Sequence, residues 1–248
     1  MESIDVVVTA TLRAKVLDTT LHSFKKRLLN NDEYKYNLII NIDPDGNKNV
    51  SSADVLAVAK SHFDNVVYNT PGKASFPMAV MWAWSSTMSN YVFHLEDDWV
   101  LKKDISIDEM VYILDRYDKI CSVRLSKGAI GAGGKLIHPY SCKYADPGDV
   151  KKFQLFPRIS LNPTLFKGEF VRRAAEVMTP DINPESQLVK GWAVKNRGFK
   201  SDRIDKFLEK WDHAVYTACG DKPVVKDIGR EWRDKMRIKR GYDFVNWG

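Results

Sequence analysis

A chain of 248 residues, 44% hydrophobic and holding seven Trp and eleven Phe, can fill a sizeable core, which excludes a disordered polypeptide. Its formal net charge of +6 favours an anionic partner without saying which one. Cys121, Cys142 and Cys219 show no paired spacing, and no apolar run approaches the ~18 residues of a membrane helix. A cytoplasmic protein without a membrane span is expected.

The first apolar run, residues 4–9, is β-branched and too short for a signal sequence, so it reads as a strand. Residues 16–29 have the pattern of an amphipathic helix. A second strand at 36–42 closes on the turn-rich Asp43-Pro-Asp-Gly-Asn. Ser51 is a plausible N-cap for a helix running to about residue 63. A strand at 65–69, an apolar helix at 77–88 and a strand at 91–95 complete the first half. This alternation predicts an α/β fold with a central, mostly parallel sheet and helices on both faces.

The second half is less regular. Residues 120–125 read as a strand, followed by a Gly-rich loop at 127–135 and a loop-rich stretch to Pro157. Helices are expected at 167–178, 184–197 and 204–211. The change of style near residue 100 divides a single domain, 1–248, into two functional halves, 1–100 and 101–248. The latter ends in a basic segment, 226–240, with seven bases against three acids, among them Arg230, Arg233, Lys235, Arg237, Lys239 and Arg240.

Ligands of open parallel sheets bind beyond the carboxyl ends of the strands. Two acidic features fall there: Asp43 after the second strand, and Glu96-Asp97-Asp98 after the fourth. Three adjacent carboxylates ending an apolar strand repel one another and are costly to desolvate. A divalent cation relieves both costs, and Mg²⁺ or Mn²⁺ takes one or two carboxylates together with substrate phosphates.

The run Tyr91-Val-Phe-His-Leu-Glu-Asp-Asp-Trp resembles the DxD-bearing strand end of GT-A glycosyltransferases, and the order of elements before it is similar too. The resemblance covers residues 4 to about 100 well and continues more loosely to about 240. It implies a GT-A (Rossmann-like) fold with a nucleotide-sugar-binding half at 1–100 and an acceptor-binding half at 101–248, a nucleotide-sugar donor such as a UDP-sugar, and Mn²⁺ or Mg²⁺ as cofactor. It places Asp43 on the uracil or ribose, Glu96 and Asp97 toward the nucleotide, and Asp98 on the metal and diphosphate. Glu96 stands where the first Asp of the family motif is usual. Thr9 and Arg13 match positions that frame the nucleotide, and Lys73 is placed to reach the diphosphate. Glu185, opening a helix beneath the acceptor, is the position implied for a general base. The family's His-x-Gly metal element is matched by Asp227-Ile-Gly229, so either Asp227 or His213 is left to complete the metal site.

Rival readings fit less well. A nucleotidyltransferase would carry a Gly-rich phosphate loop after the first strand, where Thr9-Ala-Thr-Leu-Arg has no Gly. Residues 126–135 fail the P-loop spacing, since Leu136 stands where Ser or Thr is needed. A glycoside hydrolase uses paired carboxylates but does not explain Asp43 with the acidic triplet. A non-enzymatic nucleic-acid-binding module would explain the basic tail, yet no recognised motif supports it. For the acceptor, an envelope glycan or lipid would call for an amphipathic membrane segment, which is not evident. The general character of a small basic transferase favours DNA, with hydroxymethylated cytosine as leading acceptor and residues 128–134 with Tyr140, Tyr144, Phe153 and Phe156 as its wedge or pocket.

Overall fold

The computed structural model of the chain describes residues 1–127, 153–156, 159–189, 198–216 and 222–236. The first half follows the expected alternation: β1 (Glu2–Leu12), α1 (Ala14–Arg27), β2 (Tyr34–Gly46), α2 (Ser52–His62), β3 (Val66–Asn69), α3 (Phe76–Ser85) and β4 (Tyr91–Glu96). Next come β5 (Trp99–Leu101), α4 (Ile107–Arg116), β6 (Ile120–Arg124), β7 (Phe153–Phe156) and β8 (Thr164–Lys167). The chain continues through α5 (Gly168–Val177), α6 (Pro184–Gln187), α7 (Asp202–Leu208), β9 (Asp212–Tyr216), β10 (Val225–Asp227) and α8 (Gly229–Met236).

Eight strands form one sheet in the order β3-β2-β1-β4-β8-β6-β9-β7, and β10 pairs with β5 in a separate antiparallel ribbon. The pairs among β3, β2, β1 and β4 are parallel, as is β6 with β9. β8 enters antiparallel between β4 and β6, and β7 closes the far edge antiparallel. The sheet is therefore mostly parallel and runs through both halves of the sequence, which is the GT-A arrangement.

β1 shows why the central strands are apolar on both sides. Ile4, Val6, Val8 and Ala10 point into a core with Leu17, Leu21 and Phe24 of α1. Val7 points the other way, into a core with Trp84 of α3 and Phe166 and Phe170 around α5. A strand covered by helices on both faces cannot alternate apolar with polar, so its run is continuous. Helix starts follow local chemistry: Ser51 and Asp54 form a capping box at α2, and Ser75 caps α3 with Pro77 in its first turn.

Two sequence expectations change. The helix expected over 184–197 is only α6, which ends after Gln187. Gln187 folds back instead, accepting from Thr179 N at 2.7 Å and donating to Thr179 O at 2.8 Å, while Leu188 and Val189 enter the core. Residues 190–197 lie outside the described residues. The stretch to Pro157, read as loop, contains β7, which completes the sheet against β9.

Candidate active site

The carboxyl ends of four parallel strands bring one polar row together. Asn69 pairs with Asn41, Asn41 with Thr9 and Thr9 with Glu96 across β3, β2, β1 and β4. Each of these residues interrupts an apolar strand at the same level, so the sheet presents a polar row at this end. Asn69 Nδ2 donates to Asn41 Oδ1 at 2.7 Å, and Asn41 Nδ2 donates to Asp43 Oδ1 at 2.8 Å. The other oxygen of Asp43 accepts the backbone N–H of Ser75 at 3.1 Å, at the N-terminus of α3. Asp43 is 1% exposed, so the helix end and the asparagine chain fix its orientation. Thr9 Oγ1 is buried and finds no partner among the described residues. Lys73, in the loop just before Ser75, is exposed to solvent.

Arg13 and Asp97, both expected beside the nucleotide, are paired with each other in the structure. Asp97 is fully buried and accepts from Thr11 N at 3.0 Å, from Arg13 Nε at 3.2 Å and from Arg13 Nη2. Arg13 also donates from Nη1 to Asp98 Oδ2 at 3.3 Å. Burial opposes the guanidinium charge, but Asp97 and Asp98 outweigh it and hold its pKa above the ordinary value. Its outer face is covered by the Trp232 ring, 5.3 Å from Cζ to the centroid. Arg13 thus brackets Asp97 and Asp98 together.

Around that bracket stand carboxylates from three segments: the end of β4, α6 and β10. Burial raises Asp98 to about 6; Arg13 opposes the shift, Asp97 and Asp227 add to it, and Arg233 opposes it. Burial, then the charge of Asp98, pushes Glu96 well above the usual carboxylate range, against the Trp99 indole N–H donated to Oε2 at 3.0 Å. Glu185, on α6, adds to this shift in the same sense through its charge. Its Oε1 accepts from Leu161 N at 2.7 Å and Ser160 Oγ at 3.1 Å, and its own N–H bonds Asn183 Oδ1 at 2.8 Å. Asp227 arrives from β10 and caps α8 by accepting from Gly229 N at 2.9 Å.

Among the described residues, no three His, Cys, Asp or Glu side chains enclose a cation by themselves. The donor set nonetheless suits Mg²⁺ or Mn²⁺ carried by phosphates. Asp98 Oδ1 and Asp227 Oδ2 take no hydrogen bond among the described residues, while the other oxygen of each is engaged. Two free carboxylate oxygens with the remaining positions left to phosphate and water is the coordination these ions favour. Such an ion would neutralise charge building on a departing diphosphate.

His213 is not part of this cluster. Its register with Ser122, and through Phe166 with Val92, sets it four residues below Glu96, about 13 Å along the strand and three strands away. It is 2% exposed, its Nδ1 lies 2.8 Å from Ser122 Oγ, and its ring packs edge-on against Phe170. Of Asp227 and His213, the two residues expected to complete a metal site, only Asp227 lies beside Asp98.

The sequence reading passed over Asn41, Asn69, Trp99 and Trp232. An Asn at the end of each of two neighbouring apolar strands was a visible signal. Trp232 had none, because its contact with Arg13 spans 219 positions of the chain. Of the aromatics expected at an acceptor pocket, Phe153 lies in the core against Tyr117, 5.2 Å between ring centroids. Residues 128–134, Tyr140, Tyr144, Arg237, Lys239 and Arg240, and the side chain of Phe156, lie outside the described residues.

The polar strand-end row beside an acidic cluster, on this sheet order, is consistent with a GT-A fold. The solved structures similar to this chain agree on that fold. A crystal structure of Staphylococcus aureus TarS 1-349 is 12% identical, covering 96% of this chain and 64% of that one, with a TM-score of 0.52. GalNAc-T7 with UDP, GalNAc and Mn²⁺ is 11% identical over 92% of this chain and 44% of that one, with a TM-score of 0.61. TarS 1-349 in complex with UDP-GlcNAc is 11% identical over 91% and 58%, with a TM-score of 0.53. The chain thus spans less than two thirds of each of these proteins. No family model and no curated protein matches it.

Proposed function

We propose that this protein is a metal-dependent glycosyltransferase that moves a sugar from a UDP-sugar to a hydroxyl acceptor. The observation that carries the reading is the meeting of Glu96, Asp98, Glu185 and Asp227 at the carboxyl end of β4, beside the Asn69–Asn41–Asp43 chain. Similar folds have been solved with UDP, UDP-GlcNAc and Mn²⁺, which supports this class of donor.

In this reading, Asp43, Thr9 and Glu96 line the nucleoside, with the unpartnered Thr9 hydroxyl ready to bond it. Lys73 reaches the diphosphate from its exposed loop. Asp98 and Asp227 hold the metal, and Arg13 with Asp97 holds Asp98. Glu185 takes the proton of the acceptor hydroxyl as that oxygen attacks the anomeric carbon and the bond to the diphosphate breaks.

The acceptor in this reading is DNA bearing hydroxymethylated cytosine, supported by the net charge of +6 and the basic face of α8. Among the described residues no helix is long and apolar enough to cross a membrane. The decisive experiment incubates the protein and Mn²⁺ with radiolabelled UDP-sugars and either hydroxymethylated or unmodified duplex DNA. Label in the hydroxymethylated duplex alone is expected. Label only in lipid-linked or polysaccharide acceptors would remove DNA and leave the transferase, and no turnover of any UDP-sugar would remove both.

A further inference from the structure

Against the β5–β10 ribbon lies a cavity of about 580 Å³ whose walls differ in sign from the carboxylate cluster beside it. Lys102, Lys127, Lys226 and Arg230 line it against two acids, Asp227 and Glu231, with Trp99 between them. Glu231 is committed to Lys226 by an ion pair, and Asp227 Oδ1 to the backbone N–H groups of Gly229 and Arg230. Among the described residues, Lys102, Lys127 and Arg230 have no carboxylate within ion-pair distance. An uncompensated cluster of like charges is repulsive in the free protein and is relieved by an anion.

The cations are also held in place. Lys102 N–H donates to Val224 O at 2.7 Å, and the Val224 and Val225 N–H groups both donate to Ser126 O, at 2.9 and 3.2 Å. The segments carrying Lys102, Lys127 and Lys226 are therefore laced together by their backbones. Lys127 Nζ lies over the Trp99 ring, 5.7 Å from its centroid, and the same indole donates its N–H to Glu96. One residue thus forms a wall of the cavity and orients a carboxylate of the cleft. Asp227 is likewise shared, facing Asp98 on one side and the cavity on the other.

We infer that this cavity seats a backbone phosphate of the acceptor, and that the acceptor is a DNA chain whose modified base is presented to the adjoining carboxylates. The acceptor role rests on the transferase reading above; the phosphate site stands on the cavity alone. A concave, basic pocket fits a single phosphodiester. A lipid surface would call for an apolar element beside the charge; among the described residues the exposed Val67, Tyr68, Met78 and Met88 belong to β3, α3 and the turn after α3, and none lines the cavity.

Lys102 and Arg230 have exposed side chains, so truncating them leaves the core intact. The test is fluorescence anisotropy with a short labelled DNA duplex at several salt concentrations, with UDP and Mn²⁺ saturating the donor site. The K102A/R230A variant is expected to bind the duplex at least about 10-fold more weakly and to lower the salt slope by about 1–2. Its affinity for UDP, measured by calorimetry, stays unchanged. Duplex binding equal to wild type, or no duplex binding by wild type, overturns the assignment. So does a parallel loss of UDP affinity, which would make the cavity part of the donor site. A loss confined to phosphatidylglycerol vesicles would overturn it in favour of a membrane. Turnover of UDP-sugars in the same samples separates the two readings: a protein that binds DNA through these residues but turns over no UDP-sugar sinks the transferase and keeps the site.

Discussion

Gly229 approaches Asp98 so closely that a Cβ on it would lie 2.0 Å from Asp98 Oδ2 and 2.9 Å from Asp98 Cβ. No real contact is that short, so a side chain here must displace either the carboxylate or the start of α8. Alanine favours a helix over glycine by as much as about 1 kcal/mol, which offsets part of that strain. Gly229→Ala is therefore expected to melt within a few degrees of wild type yet lose about 10²-fold in kcat/KM, since a misplacement near 1 Å has that cost. UDP-sugar turnover and a thermal melt on one preparation check this. Full activity in the variant would show that the Asp98 geometry is dispensable.

Asp98→Asn keeps the shape and removes the charge. Arg13 retains Asp97, so the buried guanidinium is not left unpaired. Stability should fall by no more than about 1–3 kcal/mol, while turnover falls by at least about 10²-fold through loss of metal-assisted leaving-group departure. Chelation of wild type with EDTA should give the same loss and Mn²⁺ should restore it. Undiminished turnover in EDTA would remove the metal from the reading.

How far the sequence could be read differs between the halves for a physical reason. Strand–helix alternation with short connections is local, and β1 to β4 followed from periodicity and turn residues. β8, β9 and β7 pair with partners distant in the chain, so their place in the sheet is set by tertiary contact. Asp43, Asp98 and Glu185 could be singled out as candidates because each sits at or next to the end of an element. The task of Asp97 was not, since the identity of three adjacent carboxylates does not say which one turns inward to meet Arg13. His213 misled because a histidine's chemistry is visible in sequence and its register is not.

Asp43→Asn tests the nucleoside side. Asp43 accepts one hydrogen bond on each oxygen, from Asn41 and from Ser75 N–H, and an amide can accept at only one of them. The variant should raise the donor KM about 10-fold while kcat stays within about 3-fold, as expected for a residue that binds without taking part in the chemistry. A kcat defect with unchanged donor affinity would contradict that role.

His94 supplies a pH-dependent contribution to stability. It is fully buried, with Nδ1 accepting the Trp84 indole N–H at 3.2 Å, and burial lowers its pKa to about 3. The ordinary value is near 6.5. Between the two, the unfolded chain binds a proton that the folded protein refuses, so stability is full above about pH 6.5 and falls as pH drops toward 3. His94→Gln retains an acceptor for Trp84 and removes the titration. Urea denaturation should show wild type losing about 2 kcal/mol more than the variant between pH 7 and pH 5. Parallel losses would show that His94 takes up its proton without unfolding.

Glu185→Gln separates chemistry from binding most cleanly. The Leu161 N–H and the Ser160 hydroxyl both donate to Oε1, and the carbonyl oxygen of a glutamine can accept both. The side chain should therefore keep its position, and the α6 cap by Asn183 is untouched. Only the basic oxygen is lost. Transfer to the acceptor should then fall by about 10²–10⁴-fold, the usual range for removing a general base. UDP affinity should stay at the wild-type value, because the proposed nucleoside contacts lie on β1 to β4 and not on α6. The anomeric configuration of the product, read by NMR, is the independent check. A base that activates the acceptor for direct attack requires inversion. A product of retained configuration, or a variant that transfers at the wild-type rate, would remove Glu185 from the chemistry and leave it as the residue that ties α6 to the chain at Ser160 and Leu161.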